Sequence, residues 1–115
     1  GGIKIKNCTS FSAYFVAKYT GKTYGNYGNG NQFVSQLEAR RKYKTGTKPK
    51  PYAIFSTPGP SYFGHTGAVF AVNGDRILIG EAGCSAGMDY IKAKEMSISE
   101  FNRRYGMPTY AYLTK

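Results

Sequence analysis

The 115-residue sequence predicts a single α+β domain in which N-terminal helices pack on an antiparallel sheet of about five strands. Three observations point there. Apolar residues recur with the helical period in the first part of the chain and with the period-two alternation of strands after residue 51. Asn73-Gly74-Asp75 separates two apolar runs, a strong hairpin signal. The composition, 41% hydrophobic with 11 Tyr, 7 Phe and no Trp, suits a chain that buries a core rather than one that stays disordered.

The first helix is expected from Thr9 to about Tyr19, where Ala13, Tyr14 and Ala17, with Phe11 and Phe15, follow helical spacing and Gly21 is a natural stop. The stretch from Tyr24 to Asn31 is too rich in Gly and Asn for a regular element. A second helix is expected from Gln32 to about Lys42, capped by Asn31, with Phe33, Val34, Leu37 and Arg41 on one face. After a loop from Thr45 to Pro51, Tyr52 to Ser56 reads as a strand and Thr57-Pro58-Gly59-Pro60 as a turn. His65 to Val72 and Arg76 to Glu81 are the hairpin strands. Tyr90 to Ala93 and Thr109 to Leu113 complete the sheet, with a short helix between them opened by the capping box Ser97-Ile98-Ser99-Glu100.

Hairpin register carries a further expectation. With a three-residue loop of Asn73, Gly74 and Asp75, Val72 pairs with Arg76, and His65, Gly67, Val69, Ala71, Ile77, Ile79 and Glu81 share one face. A two-residue loop would put His65 and Glu81 on opposite faces, so a site that uses both residues calls for the odd-numbered loop.

Sixteen Lys and Arg against six Asp and Glu give a net charge of +10. Such a field speeds encounter with polyanions, whether nucleic acid, anionic membrane or teichoic-acid-bearing wall. The runs Arg40-Arg41-Lys42-Tyr43-Lys44 and Lys48-Pro49-Lys50 read as a solvated helix end and loop. No apolar run approaches the roughly 20 residues of a membrane span, and no signal-peptide segment opens the sequence. Gly1-Gly2 reads as an appended remnant, and the chain as one domain, 1–115, excised from a longer protein.

One histidine serves the whole sequence, so any thiol chemistry must run through His65. Cys8 opens a helix, where unpaired N–H groups and the positive end of the dipole favour thiolate. His65 is the matching base, and Glu81, at the far end of the next strand, accepts the imidazole's other N–H and fixes its tautomer. The Cys8 backbone N–H and the Asn7 amide are the candidate donors to an oxyanion. The competing structural reading is a Cys8–Cys84 disulfide, which would remove the nucleophile, or a buried inert Cys8.

Four segments in this order resemble the CHAP domain, the cysteine, histidine-dependent amidohydrolase/peptidase family of the papain-like and NlpC/P60-like group. Asn7-Cys8-Thr9-Ser10-Phe11 is similar to the family's Gly-Gln-Cys-Thr-Trp-Tyr opening, and Tyr27-Gly28-Asn29-Gly30-Asn31-Gln32-Phe33 to its W-G-N-G-x-x-W segment. Tyr62-Phe63-Gly64-His65-Thr66-Gly67-Ala68-Val69-Phe70 resembles the Y-G-H-V-A-V-V strand, and Ile77-Leu78-Ile79-Gly80-Glu81-Ala82 the strand ending in the family glutamate. The likeness runs from about Lys6 to Gly83.

The resemblance implies a papain-like fold and hydrolysis of an amide in peptidoglycan, as endopeptidase or N-acetylmuramoyl-L-alanine amidase. It implies Cys8 as nucleophile, His65 as base and Glu81 as orienter. Tyr27, Asn29, Gln32 and Tyr62 flank the motif segments and are expected to line the substrate groove. Asn7 stands where Gln is common, and Gly83 stands where the family often has Asn. The acidic Asp-x-Asp calcium loop of some relatives is missing, so no metal or other cofactor is expected. The implied partner is anionic Gram-positive peptidoglycan, at the bacterial cell wall or after phage-induced lysis, with a separate wall-binding domain elsewhere in the parent protein and no nucleic-acid role. The alternative reading is a non-catalytic basic module that binds wall or nucleic acid through Tyr24, Tyr27 and nearby Lys residues.

Overall fold

The computed structural model describes residues 8–21, 30–57, 65–82 and 91–113. Helix α1 spans Cys8–Thr20; a 3-10 turn, Gly30–Gln32, leads into α2, Phe33–Arg41. The strands are β1 (Lys44–Gly46), β2 (Ala53–Thr57), β3 (His65–Asn73), β4 (Arg76–Ala82), β5 (Ile91–Ser97) and β6 (Thr109–Tyr112), with α3 (Ile98–Tyr105) between the last two. All six join one antiparallel sheet in the order β1-β6-β2-β3-β4-β5.

Each helix ends for a local reason. Gly21 adopts φ 72° and its N–H donates to the Ala17 carbonyl, closing α1 in the left-handed conformation that Gly tolerates without strain. At α3 the Ser97 hydroxyl accepts from the Glu100 N–H at 3.1 Å, the expected N-cap, and Gly106 at φ 73° closes the far end. The α2 start differs from expectation: Asn31 lies in the 3-10 turn, Gln32 is the N-cap position and its side chain makes no capping bond. The Val34 N–H instead donates to Ser56 Oγ of β2 at 2.9 Å, so a sheet hydroxyl serves where a local cap was expected.

The sheet is covered on both faces. Ile54, Ala68, Ala111 and Leu113 pack with Phe11, Val16, Phe33, Val34 and Leu37 of α1 and α2. Strand alternation sends Ala53, Phe55, Val69, Ile77, Ile79, Met96 and Tyr110 to the other face, where Phe101 of α3 joins them. Helices are therefore not confined to the N-terminal part, and among the described residues the sheet has six strands, not five. The extra strand, β1, is three residues long at the sheet edge and carries no apolar alternation. Tyr112 holds it: its hydroxyl donates to the Lys48 carbonyl at 2.6 Å, and Gly46 is bare where a Cβ would lie 2.6 Å from that hydroxyl.

The β3–β4 hairpin reaches the expected geometry by another route. Asn73 pairs with Arg76, so the turn has two residues, Gly74 and Asp75, with Gly74 at φ 62°. A bulge between Val69 and Ala71 then shifts the ladder, so that Val69 pairs with Ile79 and Ala68 with Gly80. Beyond the bulge the register equals that of a three-residue loop, and His65 and Glu81 share a face after all. On the turn side it does not: Val72 packs on the α3-side cluster while Ala71 is exposed.

Candidate active site

His65 is the first residue of β3, at the sheet end where Thr57 pairs with it. Two neighbours fix its backbone. Gly30 of the 3-10 turn packs so closely that a Cβ there would sit 2.7 Å from His65 Cα and N. One residue on, Thr66 donates to the Phe55 carbonyl at 2.7 Å, which leaves its oxygen to accept from Ser12 of α1 at 2.9 Å. These buried bonds tie α1 to the strand that begins with the histidine. Cys8 opens α1 one turn before Ser12, at the end of the helix where the backbone N–H groups are unpaired.

The imidazole Nε2 lies 2.6 Å from Glu81 Oε2. Glu81 stands near the end of β4, is only 7% exposed, and has two further partners. Lys94 Nζ lies 2.7 Å from Oε1. The Tyr105 hydroxyl donates to Oε1 at 3.0 Å and Oε2 at 3.1 Å. Burial alone would raise the Glu81 carboxyl, but the hydrogen bonds and charges of His65 and Lys94 overcome it and hold the group at about 2. Burial pushes the Tyr105 hydroxyl up, and the Glu81 charge adds to that, so it stays a protonated donor.

An aromatic layer supports these groups. The Phe55 ring meets Phe101 and Tyr105 edge-on at 5.1 and 5.9 Å and lies 6.0 Å from the His65 ring. Gly67 makes room for it, since a Cβ there would lie 2.6 Å from the tip of Phe55.

The expected pair of His65 and Glu81 is thus brought together. Gln32 is exposed in the 3-10 turn beside Gly30. Asn7, Tyr27, Asn29, Tyr62, Gly83 and Cys84 lie outside the described residues, as does the side chain of Cys8, and with them the oxyanion, groove and disulfide expectations. Lys94 and Tyr105 escaped sequence reasoning because they meet Glu81 across 13 and 24 residues with no local motif. Among the described residues no group of three or more His, Cys, Asp or Glu converges as a metal site, and no helix is long and apolar enough to cross a membrane.

The family model of the CHAP domain matches residues 1–83. No curated protein matches the sequence significantly. Among solved structures, the fold is similar to the crystal structure of Ly7917, with a TM-score of 0.70 and 16% identity over 96% of this chain and 55% of that one. It is also similar to Ly7917 with the hydrolyzing product of MDP, at a TM-score of 0.64 and 16% identity over 96% and 57%. At such identity the likeness is one of fold, and the chain spans little more than half the length of those structures.

Proposed function

The chain belongs to the CHAP domain family, and on that premise we propose that it is a peptidoglycan hydrolase that cleaves a wall-peptide amide through a Cys8–His65–Glu81 relay. The observation that carries the reading is the 2.6 Å contact between His65 Nε2 and Glu81 Oε2, at the end of a strand bonded to the helix that Cys8 opens. A structure of Ly7917 with the hydrolyzing product of MDP supports the same substrate class.

The chemistry follows from the proton positions. With Nε2–H held by the carboxylate, Nδ1 is the ring nitrogen that takes the thiol proton. The thiolate attacks the amide carbon, and the Cys8 N–H, with the Asn7 amide, meets the charge on the carbonyl oxygen. Imidazolium returns the proton to the leaving amine, the C–N bond breaks, and a thioester remains. Water, deprotonated by the same imidazole, releases the acid and regenerates the thiol. Glu81 stays ionised throughout and stabilises the imidazolium.

Turbidity loss of Gram-positive walls tests the reading. Wild type is expected to clear them and Cys8→Ser is not; equal clearing by both removes Cys8 as nucleophile. His65→Ala should lower the rate by about 10²–10⁴-fold, the usual contribution of a positioned acid–base group, while Glu81→Ala leaves a larger residual rate. Mass spectrometry of the released fragments distinguishes endopeptidase from amidase cleavage.

A further inference from the structure

The carboxylate that faces His65 is shared by groups from the C-terminal third of the chain, beyond the residues that the family model matches. Lys94 of β5 and Tyr105 at the end of α3 approach it from two different elements. Their contacts are not equivalent. Lys94 takes Oε1 alone at 2.7 Å, and Tyr105 spans both oxygens, so the oxygen turned toward His65 is Oε2.

We propose that Lys94 and Tyr105 are positioning residues that set the rotation of the Glu81 carboxylate, keep Oε2 on His65 Nε2, and thereby hold the imidazole in the tautomer whose Nδ1 exchanges a proton with Cys8. The role in turnover rests on the hydrolase reading; the effect on the imidazole does not.

Geometry favours this over a purely structural contact. A carboxylate free to rotate presents either oxygen to the ring and loses the alignment on which a strong charge-assisted bond depends. Tyr105 is itself fixed by ring contacts to Phe101 at 4.6 Å and Phe55 at 5.9 Å, so its hydroxyl is delivered by a rigid wall. Among the described residues, the titratable groups facing Glu81 are His65 from β3, Lys94 and the directly opposed Lys92 from β5, and the neutral Tyr105 hydroxyl from α3. None of the three approaching side chains other than His65 needs to touch substrate for the arrangement to work.

The sole histidine makes the test clean, because ¹⁵N-edited imidazole spectra contain one ring. Wild type should show a slowly exchanging, strongly downfield Nε2–H and the Nε2–H tautomer. Tyr105→Phe, which keeps the ring packing, and Lys94→Met should each broaden or lose that signal and mix the tautomers; Lys94→Arg should restore it. On wall substrate, Tyr105→Phe should lower kcat about 3- to 30-fold with KM within about twofold, as expected when an interaction acts in the transition state, and should add nothing further in a Glu81→Ala background. An unchanged imidazole signal in Tyr105→Phe and Lys94→Met overturns the proposal, as does a kcat loss that persists without Glu81. If wild type cleaves no wall while the imidazole signal responds as described, the hydrolase reading fails and the carboxylate clamp stands.

Discussion

Glu81 brings a charge into a nearly dry position, and its three partners decide the pH range in which it stabilises the fold. The unfolded carboxyl titrates at the ordinary value of 4.5 and the folded one at about 2. A lowered folded pKa means that the stabilisation is complete above the ordinary value and is withdrawn as pH falls toward 2. Denaturant unfolding at pH 6 and pH 2.5 should therefore show a larger loss for wild type than for Glu81→Gln, which has no carboxyl to protonate; equal losses would mean that the carboxylate is not held as described. Tyr110 gives the opposite case. Its side chain is fully buried on the α3-side face of β6, and among the described residues its hydroxyl meets no partner. Burial pushes that hydroxyl up, consistent with a polar group in apolar surroundings. Tyr110→Phe removes an unsatisfied oxygen at almost no cost in packing, and should raise stability by about 0.5–2 kcal/mol in chemical denaturation. Destabilisation would indicate a partner for that hydroxyl.

At the level of elements, the site depends on two places where backbones run closer or longer than pattern alone specifies. The pattern of apolar residues places β3 and β4 correctly, and the capping box places α3, because alternation and capping are local signals. The turn length is misread because the strand run contains one residue more than a regular ladder uses, and alternation cannot say whether the surplus sits in the turn or in a bulge. Phe70 occupies the bulge and lays its ring against Gly80, where a Cβ would fall within 2.1 Å of the ring. Gly30 is the second place. The glycine-rich segment reads as irregular, yet the need for Gly at position 30 is set by the His65 backbone, which stands where a side chain would go. Backbone cannot yield as a side-chain tip can, so Gly30→Ala should displace the 3-10 turn from His65, cost about 1–3 kcal/mol and lower wall cleavage more than tenfold. Gly74→Ala, in a turn with nothing within 4 Å but with φ 62°, should cost stability without a comparable loss of rate. A Gly30→Ala variant that clears walls at the wild-type rate would show that the close approach is dispensable.

For the molecule as a whole, sequence reading works for neighbours and fails for distant partners. Consecutive strands β2 to β5 lie side by side, but β6 inserts between β1 and β2, so the C-terminal strand becomes interior and α3 is carried to the second face. That return path is what brings Tyr105 to Glu81, and no spacing in the sequence announces it. Charge, by contrast, is legible directly. The +10 balance is spread over much of the surface, with exposed Lys and Arg on α2, the β1 edge and α3. Lys44, on the edge strand β1 itself, also guards it against pairing with another chain. A field of this kind acts on encounter with an anionic wall, not on bond cleavage, and is screened over about 8 Å at physiological ionic strength. Raising salt from about 50 to 500 mM should therefore slow clearing of intact walls mainly through KM, because screening shortens the reach of the field several-fold over that range. Hydrolysis of a short uncharged stem-peptide fragment should respond little, and the triple variant Arg40→Gln, Lys44→Gln, Lys48→Gln should show a flatter salt dependence on walls with kcat on the fragment retained. The same salt response for wall and fragment would place the effect in the site itself, and long-range attraction would then have no part in the reaction.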